Sequence, residues 1–185
     1  MDLAIQQKHK ELRSQKTSQL FYEGRVITVC QETFFFEGEQ PFKTDLILHP
    51  GAATVLPIDD RGELLLIKQW RRASGDILIE APAGILETHE TVAECAMREL
   101  REETGFAATT LTQIGKIYTA PGFCNEVLHL FIAEGLVEDP LPKDTHENID
   151  LFSVSLTNAL DMIETGVICD AKTIVLILRY ARSLL

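Results

Sequence analysis

The 185-residue chain has no apolar run approaching the roughly 18 residues that cross a bilayer, so a membrane span is not expected. It is short of positive charge: 17 Lys and Arg stand against 28 Asp and Glu, a formal net charge of −11. Such a chain repels phosphate backbones, which argues against nucleic acid as a partner. Its four cysteines, Cys30, Cys95, Cys124 and Cys169, form no C-x-x-C pair. Zinc-ribbon spacing is therefore missing, and four reduced thiols are expected. Residues 1–14 are charged and helix-like, with neither an apolar stretch nor a small-residue cleavage site. No secretion signal is read, and a cytoplasmic location is expected. G-x-S-x-G, a Ser-His-Asp pattern and a P-loop are all missing, and Cys124 has no support as a nucleophile.

What is there fits a globular chain: 45% hydrophobic and 24% charged residues. At this length a chain buries roughly 70% of its unfolded surface, enough for a true core. Residues 17–49 read as short strands at 21–22, 26–30, 33–36 and 45–49, broken at Glu23-Gly24, Gly38 and Pro41. Pro50-Gly51 marks a boundary between a β-rich segment, 1–50, and a main domain, 51–185. Phe34, Phe35 and Phe36 suit a strand core or a subunit contact better than a base pocket. Strands at 52–58 and 63–70, joined by the turn Asp59-Asp60-Arg61-Gly62, are expected to form a hairpin. Further strands are expected at 77–81, 111–119, 127–133 and 149–154, and helices at 156–165 and 171–184. Mixed strands with few helices indicate an α+β sandwich.

A helix is expected from Thr88 to Thr104. Thr88 would act as N-cap, Glu90 would lie in the first turn and Gly105 would end it, with Val92, Ala93, Ala96, Met97 and Leu100 as the buried stripe. On that helix Glu99 and Glu103 are four residues apart and share a face, with Glu102 on a neighbouring row. Three crowded carboxylates repel one another. Arg98 can pair with Glu102 but cannot neutralise all three. Either the face is simply solvated, or it binds a hard cation such as Mg²⁺, which prefers carboxylate oxygens. Metal ions between carboxylates and substrate would also reconcile an acidic chain with a phosphate-bearing ligand.

The whole pattern decides between these. Gly84, Glu90, Arg98, Glu99, Glu102, Glu103 and Gly105 stand in the spacing Gly-x5-Glu-x7-Arg-Glu-U-x-Glu-Glu-x-Gly-U, with Leu100 and Phe106 at the apolar U positions. With about one residue in fifteen per fixed position, chance agreement is on the order of one in 10⁸ per starting point, so the solvated face recedes. This segment resembles the Nudix box. The lead-in Glu80-Ala81-Pro82-Ala83-Gly84 is similar to that of the ADP-ribose pyrophosphatases. So are Gln69-Trp70-Arg71, Pro121 sixteen residues beyond Gly105, and Gly166-x-Ile168-x-Asp170-Ala171-Lys172-Thr173.

That resemblance implies a Nudix fold, an α/β/α sandwich of mixed sheets with an N-terminal antiparallel β appendage. It implies Mg²⁺, with Mn²⁺ as a substitute, held by Glu99 and Glu103. Glu102 would be a ligand or a holder of water, and the Ala83 carbonyl a further ligand. Glu90 and Arg98 would orient the loop and helix by pairing internally. The general base would be Glu147, or failing that Asp144. Arg71, Glu80, Trp70 and Pro121 are the candidate substrate contacts, Trp70 being equally suited to anchoring a strand end. The implied reaction is hydrolysis of a nucleoside diphosphate sugar, with ADP-ribose giving AMP and ribose 5-phosphate. The alternatives are GDP-mannose or another nucleotide substrate of the same fold, and a non-catalytic binding module. A homodimer is expected, because in related enzymes an N-terminal β segment crosses a two-fold interface and helps complete the partner's site.

Overall fold

The computed structural model describes residues 2–142 and 148–185. The chain divides into two compact units. One contains the residues up to Pro50 together with Tyr118–Glu126; the other contains Gly51–Ile117 and Val127–Leu185.

The first unit begins with α1 (Leu3–Arg13), followed by β1 (Gln15–Glu23), β2 (Thr28–Phe35) and β3 (Phe42–Leu48), an antiparallel sheet in that order. The sequence suggests two strands where β2 is one. Gln31 and Glu32 stay in register with Asp45 and Thr44, so hydrogen bonding runs through the polar pair without a break. Cys30 and Phe34 are buried in this unit, and Phe34 stacks on Phe36 with centroids 6.2 Å apart. Segment 118–126 joins the end of β3. The Ile47 amide donates to the Phe123 carbonyl at 2.7 Å, and the Asn125 amide donates back to Ile47 at 3.2 Å.

The second unit holds two further sheets. β4 (Ala52–Pro57), β7 (Ala83–Ile85), β8 (Phe106–Tyr118) and β9 (Val127–Glu138) make one, in the order β7-β4-β9-β8. β5 (Leu64–Arg71), β6 (Asp76–Glu80) and β10 (Ile149–Val154) make the other, in the order β10-β5-β6. The expected 52–70 hairpin is therefore corrected. Among the described residues the two arms pair only at the Ile58–Leu64 bridge beside the turn, and β4 and β5 enter different sheets. The reason lies in β4, which is buried along its entire length and pairs in parallel with β9 and antiparallel with β7. With both edges taken, it has none left for β5.

β4 and β9 sort their side chains by alternation. Ala53, Val55, Phe131 and Ala133 pack with Cys95, Ala96 and Leu100 of α2 (Val92–Thr104). Leu56, Leu130 and Ile132 pack with Leu64 and Leu66 of β5, and with Ala159 of α3 (Leu156–Glu164) and Leu176 and Ile177 of α4 (Ala171–Ser183). Helices thus cover both sides, and the fold is the expected α+β sandwich of mixed sheets.

α2 starts three residues later than the sequence suggests. Its N-cap is Thr91, not Thr88, and Thr91 and Glu94 form a reciprocal capping box. Glu90 precedes the helix, and Ala93 is exposed where a buried position was expected. Gly105 ends the helix with φ 82°, a left-handed conformation that glycine adopts without strain.

Candidate active site

Cys95, Glu99 and Glu103 form one i, i+4, i+8 row of α2, and that row lies along β7. The Glu103 carboxylate accepts the Ala83 amide at 2.9 Å and is only 2% exposed. The Glu99 carboxylate rests on Gly84, where a Cβ would come within 1.8 Å of its oxygen. Two buried carboxylates therefore sit on two consecutive residues of one strand. The Cys95 thiol faces the carbonyls of Gly84 and Ile85 at 3.5 and 3.6 Å, and burial pushes it up to about 12, so it stays protonated and inert.

Arg98 ties the neighbouring row to the loop. Its guanidinium donates to Glu90 twice, to Glu99, to Glu102, to the Ile85 carbonyl and to the Cys95 sulfur. The Glu90 carboxylate also accepts the Glu87 amide at 3.1 Å, closing a turn in which His89 adopts φ 73°. The Arg98 hydrogen bonds hold the Glu90 carboxyl below its ordinary value. Glu90 is thus a loop clamp ahead of the helix, rather than a first-turn residue acting on the dipole.

A second cluster lies at the ends of β5 and β6. Arg71 grips Glu80 with two parallel hydrogen bonds, at 2.7 and 2.8 Å. The Lys172 ammonium donates to the same carboxylate, on the oxygen that also takes an Arg71 N–H, and pairs with Asp170 at 3.0 Å. Glu80 is 1% exposed. Burial pushes its carboxyl up, but the Arg71 hydrogen bonds and the Lys172 charge outweigh burial and hold it below its ordinary value. Both oxygens are already engaged, so a sugar or base hydrogen-bonding there would have to share them. The Arg71 cation is favoured by its bonds to Glu80, and also by the negative charges of Glu103 and Asp170. This electrostatic influence links the cluster to the carboxylate row.

The other candidates are dispersed. Trp70 is 53% exposed, so it is not a buried strand anchor. It stands opposite Ile77, whereas Arg71 points to the other face of β5, because successive strand residues alternate. Pro121 lies in the exposed turn of the first unit in which the Phe123 and Cys124 amides donate to the Ala120 carbonyl. Glu147 and Asp144 lie outside the described residues.

The donor set suits a hard divalent ion: buried carboxylates on one helix face, with a backbone strand against them and no thiolate among them. Among the described residues no three acidic, histidine or cysteine side chains already converge on one point. Glu99 and Glu103 are held instead by Arg98 and the Ala83 amide.

Residues 48–176 match the NUDIX domain family. The chain belongs to the Nudix family. This Nudix hydrolase is 38% identical over 154 residues to an ADP-ribose pyrophosphatase of Bacillus subtilis (strain 168), spanning 82% of this chain and 83% of that one. It is 34% identical to a methanol dehydrogenase activator of Bacillus methanolicus, over 89% of this chain and 90% of the relative. It is 35% identical to a GDP-mannose pyrophosphatase of Cronobacter sakazakii, over 69% of this chain and 71% of the relative. A crystal structure of an ADP compounds hydrolase superposes with a TM-score of 0.82, covering 92% of this chain and 94% of that one. At 23% identity that likeness establishes the fold.

In this Nudix hydrolase two residues emerge that sequence reasoning named only as parts of motifs. Lys172 was one letter of the run leading into the last helix; its charge meets Glu80 across 92 positions of sequence. Gln69 is 7% exposed on the Arg71 face of β5, and among the described residues its side-chain oxygen finds no hydrogen-bond partner. Strand alternation, which puts Gln69 on the face of Arg71, was the available signal for Gln69. No local pattern pointed to the partner of Lys172.

Proposed function

We propose that this Nudix hydrolase cleaves the diphosphate bond of nucleoside diphosphate sugars, preferring ADP-ribose and giving AMP and ribose 5-phosphate. The observation that supports this most is the pair of buried carboxylates, Glu99 and Glu103, set on Gly84 and Ala83, with the Arg71 cation under the electrostatic influence of Glu103. Glu99, Glu103 and the Ala83 carbonyl would hold Mg²⁺, or Mn²⁺ in its place, with Glu102 as a further ligand or a holder of water. A divalent ion there neutralises charge on the diphosphate and makes water a better nucleophile. Arg71 grips phosphate oxygens with the guanidinium edge that Glu80 leaves open. Glu90 and Arg98 keep the loop and the carboxylate row in place. Glu147 accepts the proton of the attacking water, with Asp144 as the alternative base.

Glu103→Gln tests the assignment, because the amide oxygen can still accept the Ala83 amide while the charge is gone. Turnover should fall about 100-fold or more with the fold retained. Near-full activity would remove Glu103 from the site. A substrate panel with Mg²⁺, read by product identification, tests the preference. Faster turnover of GDP-mannose than of ADP-ribose would displace ADP-ribose, and tight ADP-ribose binding without AMP release would favour a binding module.

The segment 1–50 is proposed to form a homodimer contact. β1 is exposed at all nine positions and presents Leu20, Phe21 and Tyr22 to solvent, an apolar surface of the kind that marks an interface. Sedimentation at micromolar concentration should give a dimer.

A further inference from the structure

We propose that Lys172 is a positioning residue for Arg71: it acts through Glu80 to hold the Arg71 guanidinium with one edge free for the substrate diphosphate. This rests on the reading that Arg71 grips a diphosphate.

Glu80 has two oxygens. One takes the Arg71 Nε–H, and the other takes an Arg71 Nη2–H and the Lys172 ammonium. Arg71 therefore spends one edge of its fork on Glu80, while among the described residues Nη1 makes no hydrogen bond and the side chain is 39% exposed. Lys172 keeps Glu80 from turning, because it shares the oxygen that takes the Arg71 Nη2–H and is itself held by Asp170. Asp170 is fixed in turn: it caps α4, accepting both the Thr173 amide at 3.0 Å and the Thr173 hydroxyl at 2.6 Å. Thr173 then accepts the Ala81 amide at 2.7 Å, directly after Glu80. The chain from Arg71 through Glu80 to the first turn of α4 is thus closed at both ends.

Charge leads to the same conclusion. Arg71, Lys172, Glu80 and Asp170 sum to zero. Without Lys172 these four positions carry one net negative charge, which opposes an incoming anion. Lys172 is only 12% exposed and both its partners are carboxylates, so it is aimed inward, at Glu80, and not at a ligand.

The test is kinetic, with a readout that needs no substrate. Lys172→Met keeps the aliphatic stem and removes the charge. It should raise KM for ADP-ribose about 5–10-fold with kcat within about twofold, and Lys172→Arg should bring KM back to within about twofold of wild type. In an Arg71→Ala background Lys172→Met should shift KM by less than about twofold, since the residue it positions is gone. An equal KM effect in both backgrounds would show Lys172 acting independently of Arg71 and would overturn the proposal. So would a lowered Tm with unchanged KM, the mark of a purely structural pair. Should Lys172→Met fail to fold, Lys172→Gln carries the same comparison. If the wild-type protein turns over no nucleotide sugar, the proposed function fails, and the positioning claim is judged by NMR. The Arg71 Nε–H should exchange slowly with solvent in the wild-type protein and several-fold faster in Lys172→Met. Equal exchange rates would overturn the proposal.

Discussion

Gly84 carries no side chain because the Glu99 carboxylate occupies the place a Cβ would take. The clash in Gly84→Ala is with the mobile end of a glutamate, not with backbone, so the fold should accept the change while Glu99 swings away from β7. We expect a Tm within a few degrees of wild type and, on the proposal that Glu99 holds a divalent ion, turnover lowered about 10–100-fold. Calorimetry and steady-state kinetics on one preparation separate the two effects. Cys95 makes the opposite point. It sits in the same row as Glu99 and Glu103, yet burial keeps its thiol protonated up to about 12. Alkylation of the native protein should label the exposed Cys169 first and reach Cys95 only after unfolding, as peptide mapping would show. The sequence named Gly84, Glu99 and Glu103 through their spacing. It carried no sign of why Gly84 must be bare, because that depends on a contact across fifteen residues.

Among the elements, α2 was legible apart from its start. Thr88 and Thr91 are both plausible caps in a row of residues; Thr91 wins because Glu94 reciprocates, while Glu90 is drawn off to Arg98. Thr91→Ala should therefore lower stability by about 1 kcal/mol, and Thr88→Ala by much less, in chemical denaturation. Equal effects would return the cap to Thr88. β5 shows what local reading misses. Trp70 and Arg71 are neighbours in sequence and both suit a nucleotide ligand, but strand alternation sends them to opposite faces. Trp70 and Ile77, at 53% and 61% exposed, form an apolar pair away from the Arg71–Glu80 cluster.

For the molecule as a whole, acid stability follows from Glu80 and Glu90, whose carboxyls are held below their ordinary values in the fold. A depressed folded value contributes stability that is complete above the unfolded one, about 4.3 for glutamate, and is lost as pH falls through the folded value. The Tm gap between wild type and Glu80→Gln should accordingly be widest near neutrality and narrow as pH drops below about 4.3, measured by thermal scans across pH. A constant gap would mean that Glu80 is not an ionised, paired group. The box residues, the α+β class and most element positions could be read from sequence, because they depend on interactions within a few residues: helix rows, caps, turns and alternating apolar positions. Three things were decided only by tertiary structure. The 52–70 hairpin dissolved because β4 found partners in β7 and β9. Segment 118–126 joined the first unit through bonds to Ile47. Lys172 met Glu80 from the far end of the chain. Each depends on which distant backbone edge or charge arrives at a site, and local spacing in a sequence does not encode that.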